Sequence, residues 1–345
     1  MSPHQETPPS TGNYTMTADA VQQPNITNNT GRRPLLPGVY VPTPAFFDPV
    51  SEDVDLETTA SHAVRLAQAG VAGITTQGSN GEAVHLSHAE RNLITTTTRE
   101  ALDAAGFTQL PVIVGCGAQS TREAIQLCVD AHAAGGDYAL VLPPAYYQGL
   151  FAADTVASFF LAVAAASPVP VLIYNYPGAV AGLDLNSDQI AALAAAHPNI
   201  VGVKLTCGNT GKLARVAAAT SAATPAEAGS GFFCAGGSAD FALQTLVAGG
   251  SGIIAGLANV APKACVRLVR LYERGDLKAA RELQAVVARG DWAAIRGGVV
   301  GTKSALVSFF GYGGYARRPL PRPGKEEGAK WRLGFEELVA VEKAL

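Results

Sequence analysis

Charge is scarce in this chain. Only 15% of its 345 residues are Asp, Glu, Lys or Arg, and they sum to −3. A polyphosphate partner wants a basic surface, so no nucleic-acid partner is expected. The five cysteines, at 116, 128, 207, 234 and 265, are odd in number and form no CxxC pair. Neither a disulfide framework nor a structural zinc site is expected, and a reducing compartment fits better. No apolar run reaches the roughly 18–20 residues that span a bilayer, so no membrane partner is expected. Other chemistries lack their signatures. His85 and His88 do not form HExxH, no G-x-S-x-G elbow or P-loop occurs, and Gly115-Cys116-Gly117 lacks the third glycine of a dinucleotide fingerprint. No metal and no cofactor are expected.

What the chain does have is apolar material, 48% of its residues, which is enough for a sizeable core. Residues 1–37 stand apart: they are rich in Ser, Thr, Asn, Gln and Pro and have no apolar segment. Their only Lys or Arg residues are Arg32 and Arg33, set against Glu6 and Asp19. This stretch reads as a disordered tail, neither a secretory signal nor a transit peptide, which points to the cytoplasm. A chain starting near Pro34 is expected to keep its stability and activity.

From residue 38 to 262 one rhythm repeats eight times, a short apolar strand followed by a helix. Strands are expected at 39–41, 73–76, 111–115, 138–142, 169–174 and 200–205, somewhere within 226–234, and at 252–255. Ser87 with Glu90 and Ser120 with Glu123 are helix-start signals. The strands are continuous rather than alternating, as in a parallel sheet covered by helices. Eight such units suit an α/β fold, the (β/α)8 TIM barrel; a doubly wound open sheet is the alternative. Residues 263–345 read as a C-terminal helical extension, with helices at 263–274, 276–290, 291–309 and 328–344. The proline-rich stretch 317–323 is an extended connector.

Catalytic groups of such barrels sit at the C-terminal ends of strands. Lys204 interrupts an apolar strand. An unpaired ammonium is costly to bury, and a neutral lysine amine attacks a ketone to form a Schiff base. The same pattern also fits a lysine snorkelling to solvent from a strand end. Tyr174 is a candidate proton shuttle or a core aromatic. The turn Gly78-Ser79-Asn80-Gly81 offers backbone N–H groups suited to a carboxylate, or is an ordinary βα turn. Glu82 is a candidate base, with a structural carboxylate favoured.

These residues together make a resemblance. GSNGE at 78–82, PPAYY at 143–147, YNYP at 174–177, GVKLT at 202–206 and the GG-S/A-D pattern near 236–240 are similar to the dihydrodipicolinate synthase/N-acetylneuraminate lyase family. The resemblance covers residues 38 to 345. It implies a pyruvate-dependent class I aldolase or related lyase, typically a homotetramer built as a dimer of dimers. Lys204 would form the imine with a 2-keto acid, and Tyr174 would move protons. Backbone N–H groups of Ser79 and Asn80 would bind the carboxylate, and the Ser79 hydroxyl would hydrogen-bond Tyr174. Tyr147 would reach the neighbouring subunit's site, and Gly237 and Ile254 would line the pyruvate pocket.

One departure bears on substrate. Lysine-pathway synthases carry an arginine two residues after YNxP for a second carboxylate. Here the segment is Gly178-Ala179-Val180-Ala181. The chain is more similar to fungal sugar-acid members that cleave 2-keto-3-deoxy acids such as L-threo-3-deoxy-hexulosonate to pyruvate and glyceraldehyde. Thr206, Asn209 and Ser238 would hold the acceptor's hydroxyls. Competing readings are a 4-hydroxy-2-oxoglutarate aldolase, with Lys212 or Arg215 supplying a second cation, a dihydrodipicolinate synthase-like condensation, and a catalytically silent barrel used as a binding subunit. A metal-dependent aldolase would need a His and carboxylate cluster at strand ends, and the sequence shows none.

Overall fold

The computed structural model describes residues 32–345. The reading of residues 1–31 as a disordered tail lies outside the described residues. The first part of the described chain alternates strand and helix: β1 Gly38–Pro42, α1 Leu56–Gln68, β2 Gly73–Thr76, α2 His88–Ala104, β3 Val112–Gly115, α3 Thr121–Ala133, β4 Tyr138–Val141 and α4 Thr155–Ala166. The rhythm continues with β5 Val171–Asn175, α5 Ser187–Ala196, β6 Ile200–Leu205, α6 Thr210–Thr220, β7 Phe233–Gly236, α7 Ala242–Val247, β8 Gly252–Ile254 and α8 Pro262–Glu273. Two further helices follow, α9 Leu277–Phe310 and α10 Lys325–Ala344. All eight strands pair in parallel, and β8 closes on β1, so the sheet is a closed barrel rather than an open one.

Each strand is buried on both faces, and the two faces feed two cores. In β5, Val171 and Ile173 join the large core between sheet and helices, while Leu172 and Tyr174 join a smaller core inside the barrel. The inner core interlocks large side chains with glycines. Tyr40 and Phe233 meet edge-on at 5.0 Å. A Cβ on Gly73 would lie 2.4 Å from the Tyr40 ring, and one on Gly202 would lie 2.6 Å from the Phe233 carbonyl. Such filling makes the barrel interior a packed core, not a pore. Helix starts follow the sequence signals: Ser87 and Glu90 form a reciprocal capping box, and Ser120 accepts from the Glu123 amide.

Three expectations are corrected. Strand seven lies at Phe233–Gly236, at and beyond the end of the anticipated window. The helices expected at 276–290 and 291–309 are one run, broken not at 290 but at Gly298, whose φ of 53° and ψ of −146° are non-helical. Finally, a start near Pro34 would delete Arg33, which is part of the fold. Its guanidinium donates to Asp137 Oδ1 at 3.1 Å and to the Thr108 carbonyl, and its own carbonyl accepts from the Tyr138 hydroxyl at 2.8 Å. Asp137 is buried and also accepts from the Val112 amide at the start of β3. Removing Arg33 would leave a buried carboxylate without its cation, a costly arrangement.

Candidate active site

Strand register brings the two principal side chains together. Tyr174 on β5 pairs with Lys204 on β6, and Lys204 pairs with Ala235 on β7. Alternation along β6 sends Val203 and Leu205 to the outer core, leaving Gly202 and Lys204 on the barrel side. Lys204 is 3% exposed and Tyr174 is 4% exposed. The Lys204 amine donates to the Tyr174 hydroxyl at 3.2 Å and sits 4.3 Å from the centre of its ring. Among the described residues no carboxylate forms a salt bridge with Lys204, so its position in an apolar strand is not explained by ion pairing. Tyr176 stacks on Tyr174 at 5.7 Å and 24°. Burial and the Tyr174 neighbour raise its phenol's pKa.

Lys204 and Tyr174 open into a cavity of about 490 Å³ at the C-terminal mouth of the barrel. Ser79, Asn80 and Gly237 line it. No amide hydrogen bond within the protein is seen for Ser79 or Asn80 among the described residues, so both N–H groups are free for an anion. Gly256 makes room for Asn80, because a Cβ there would lie 2.2 Å from Asn80 Nδ2. Gly237 does the same for Thr206, whose Oγ1 would lie 2.0 Å from a Cβ. Thr206 Oγ1 and Asp240 Oδ1 are buried in this wall with no hydrogen-bond partner among the described residues. Helix α9 completes the enclosure with Asp291, Ala294, Ile295, Gly298 and Thr302. Burial pushes the Asp291 carboxyl up to about 6, against bonds from Ser238, Asp240 and Ala239 that favour the anion.

Several expected roles change. The Ser79 side chain makes no hydrogen bond to Tyr174, whose hydroxyl is engaged by Lys204 instead. Ile254 is fully buried in the inner core with Tyr174 and does not line the cavity. Tyr147 is 63% exposed, packs edge-on against Tyr146 and is not part of the cavity within one chain. Asn209 is a helix cap, accepting from the Lys212 amide at 2.8 Å. Ser238 lines the cavity, but its hydroxyl is given to Asp291. Glu82 keeps the structural role favoured for it: it pairs with buried Lys303 at 2.8 Å and accepts from the Arg317 amide. Burial lowers the Lys303 ammonium to about 8. Lys212 is held by Asp184, and Arg215 donates to Ser187, so neither reaches the cavity. Sequence reasoning gave no role to Tyr176 or to the α9 wall. Asp291 gave no signal, because the sequence reading placed it at the first position of a helix, where Asp is favoured, and only the structure puts it inside α9.

Ser79 and Tyr174 also border a second cavity of about 360 Å³. Ala179 and Val180 line it, and so does Arg91, whose guanidinium donates to the carbonyls of Ala83 and Gly115.

A closed parallel barrel with a buried amine and phenol paired at its mouth has the architecture of a (β/α)8-barrel enzyme. Comparison with known proteins narrows this: residues 38–330 match the dihydrodipicolinate synthetase family, and the chain belongs to it. A protein of Emericella nidulans named "Probable 4-hydroxy-2-oxoglutarate aldolase, mitochondrial" is 58% identical over 313 residues, 91% of this chain and 98% of that protein. A Hypocrea jecorina L-threo-3-deoxy-hexylosonate aldolase is 52% identical over 313 residues, 90% of this chain and 99% of that one. Among solved structures, a prophage protein of the dihydrodipicolinic acid synthase family from E. coli K12, in complex with pyruvate, superposes with a TM-score of 0.79. It is 26% identical, and the match covers 88% of this chain and 99% of that one.

The cytoplasmic expectation is corrected by the same comparison, since fungal relatives carry mitochondrial names. That expectation weighed two arginines against two acids in the first 37 residues, and so small a charge difference does not decide an address.

Proposed function

We propose that this protein is a Schiff-base class I aldolase that cleaves a six-carbon 2-keto-3-deoxy sugar acid to pyruvate and glyceraldehyde. The observation that carries the proposal is the Lys204–Tyr174 pair, 3.2 Å apart, buried at the mouth of the barrel beside free backbone amides. The Ser79 and Asn80 N–H groups hold the substrate carboxylate. Lys204 attacks the C2 ketone, and Tyr174 supplies the proton with which the carbinolamine hydroxyl leaves as water. The resulting iminium draws electrons toward C2. Tyr174, now a phenolate, takes the proton of the C4 hydroxyl. The C3–C4 bond breaks, its electron pair forms the enamine, and C4 leaves as the aldehyde. Protonation at C3 and hydrolysis of the imine release pyruvate and restore the amine.

The cavity walls support a polyhydroxy tail. Among the described residues they carry no cation apart from Lys204, while the polar side chains of Ser79, Asn80 and Asp240 line them and suit hydroxyl groups. Cleavage of 4-hydroxy-2-oxoglutarate is the second reading. The Emericella relative's name favours it, and Arg91, in the adjoining cavity, is a candidate partner for a second carboxylate. An arginine–carboxylate bridge is worth a few kcal/mol, and 1.4 kcal/mol is about tenfold, so roughly hundredfold discrimination is at stake. The test is kcat/KM for both acids on one preparation. The sugar acid should be preferred, whereas preference for 4-hydroxy-2-oxoglutarate, lost in Arg91→Ala, would establish the second reading. Condensation with aspartate semialdehyde should be at least about a hundredfold poorer by the same arithmetic.

The assembly proposed with this reading is a homotetramer in which Tyr147 enters the neighbouring subunit's site. Its support is the exposure of Tyr146 and Tyr147, 81% and 63%, unusual for adjacent large aromatics.

A further inference from the structure

One wall of the cavity comes from outside the barrel. Gln284 and Asp291 lie seven residues apart and so share a face of α9 before its break at Gly298, and Ala294, Ile295, Gly298 and Thr302 extend this wall along the cavity. Asp is disfavoured in helix interiors because its carboxylate competes for nearby backbone groups. Asp291, 3% exposed, instead reaches the loop between β7 and α7. Its Oδ2 accepts from Ser238 Oγ at 2.7 Å, from the Ala239 amide at 2.7 Å and from the Asp240 amide at 2.9 Å. Two turns earlier, Gln284 accepts from the Leu243 amide at 2.7 Å and donates to the carbonyls of Ala239 and Asp240. The backbone polar groups of this loop are thus answered from α9. Small residues let α9 pack closely against α10: a Cβ on Gly290 would lie 2.4 Å from Leu338, and one on Gly334 would lie 2.8 Å from Ala293.

This arrangement fixes a group that has no other restraint. Asp240 is part-buried and lines the cavity, its Oδ1 is shielded, and no hydrogen bond or ion pair to its carboxylate is seen among the described residues. A carboxylate held in a cavity wall without a partner is costly unless a ligand or water satisfies it. Two neighbouring carboxylates also repel, so Asp240 needs a rigid backbone to stay beside Asp291. We propose that Asp291 is a positioning residue for the aldehyde end of the substrate: by bonding Ser238, Ala239 and Asp240 it holds the Asp240 carboxylate in the cavity, where it accepts hydrogen bonds from the substrate's tail hydroxyls. This assignment rests on the aldolase reading above. Lys204 and Tyr174 belong to β6 and β5 and make no bond to Asp291, so imine formation does not use its carboxylate directly.

That separation supplies the test. Exchange of pyruvate C3 hydrogens in deuterated water, followed by NMR, needs only imine and enamine formation. Cleavage of the six-carbon acid needs the tail contacts as well. Asp291→Ala should keep exchange within about threefold of wild type while kcat/KM for the six-carbon acid falls about tenfold or more, mainly through KM, as expected for lost ground-state hydrogen bonds. Cleavage of 4-hydroxy-2-oxopentanoate, whose tail is a methyl group, should be unaffected. Asp291→Asn keeps an acceptor oxygen and should recover most of the loss. Asp240→Ala should show the same loss of six-carbon cleavage. The double variant should be no worse than Asp240→Ala alone, because the two act as one unit. Parallel loss of exchange and of both cleavages in Asp291→Ala would overturn the proposal, as would additive losses in the double variant. If Asp291→Ala does not fold, Asp240→Ala decides, since equal loss for the six-carbon acid and the methyl-tailed substrate contradicts the assignment. Absence of exchange in the wild type is a separate result that overturns the aldolase reading itself.

Discussion

Lys204→Ala should abolish turnover. With the amine gone no imine forms, and the carbon–carbon bond loses the electron sink that lets it break. Enzymes commonly accelerate their reactions by about 10⁶-fold or more, and a covalent route that closes forfeits most of that, so a loss of roughly 10⁴-fold or greater is expected. Among the described residues no other lysine lines the cavity to replace it. The variant should fold normally. Lys204 is buried without an anionic partner among the described residues, so alanine removes a group that is expensive to desolvate and leaves space continuous with the existing cavity. At about 2.1 cal/mol/K of unfolding entropy per residue, one kcal/mol corresponds to roughly 1–2 °C in Tm for a chain of this size, and the shift should stay within a few such steps. Activity assays beside a thermal melt check both halves. A folded Lys204→Ala protein that still cleaves the substrate would remove the lysine from the mechanism.

Tyr174→Phe should reduce turnover by roughly 10²–10⁴-fold, the range for a positioned general acid–base group. The substitution isolates the hydroxyl. Phenylalanine keeps the inner-core packing, the stacking on Tyr176 and the ring beneath the Lys204 amine. It deletes only the oxygen that accepts from Lys204 at 3.2 Å. Because the same phenol serves imine formation and aldol cleavage, deuterium exchange into pyruvate should slow together with cleavage of the sugar acid. Loss of cleavage with exchange intact would confine the tyrosine to the second step. A rate near wild type for both would leave it as a core aromatic.

The barrel was legible because its strands are continuous apolar runs between capped helices, and burial on both faces allows few other arrangements. Strand β7 was obscure for a local reason. Its sequence is Phe233-Cys234-Ala235-Gly236, and its strand character comes from pairing with β6 and β8 rather than from its own propensity. Lys204 stood out because a polar group in an apolar strand is conspicuous, but the pattern alone left it and Tyr174 open to structural readings, and the resemblance implied their roles. Asn209 was misassigned to a hydroxyl contact although a cap was readable from Asn at the helix start. The α9 wall could not be read. Asp291 meets Ser238 across 53 residues, and the contact depends on how closely α9 packs, which the small residues at 290 and 334 permit but do not announce. Gly298 behaves alike: its break in α9 is a backbone conformation set by tertiary packing, not a pattern in composition.

The central claim is that one lysine forms a covalent imine with the keto acid. Borohydride added with pyruvate reduces an imine to a stable secondary amine, and mass spectrometry of the digested protein locates it. The account predicts one adduct per chain, carried by the peptide containing Lys204 and absent from Lys204→Ala. An adduct on a different lysine, or none on a protein that is turning over substrate, would contradict it.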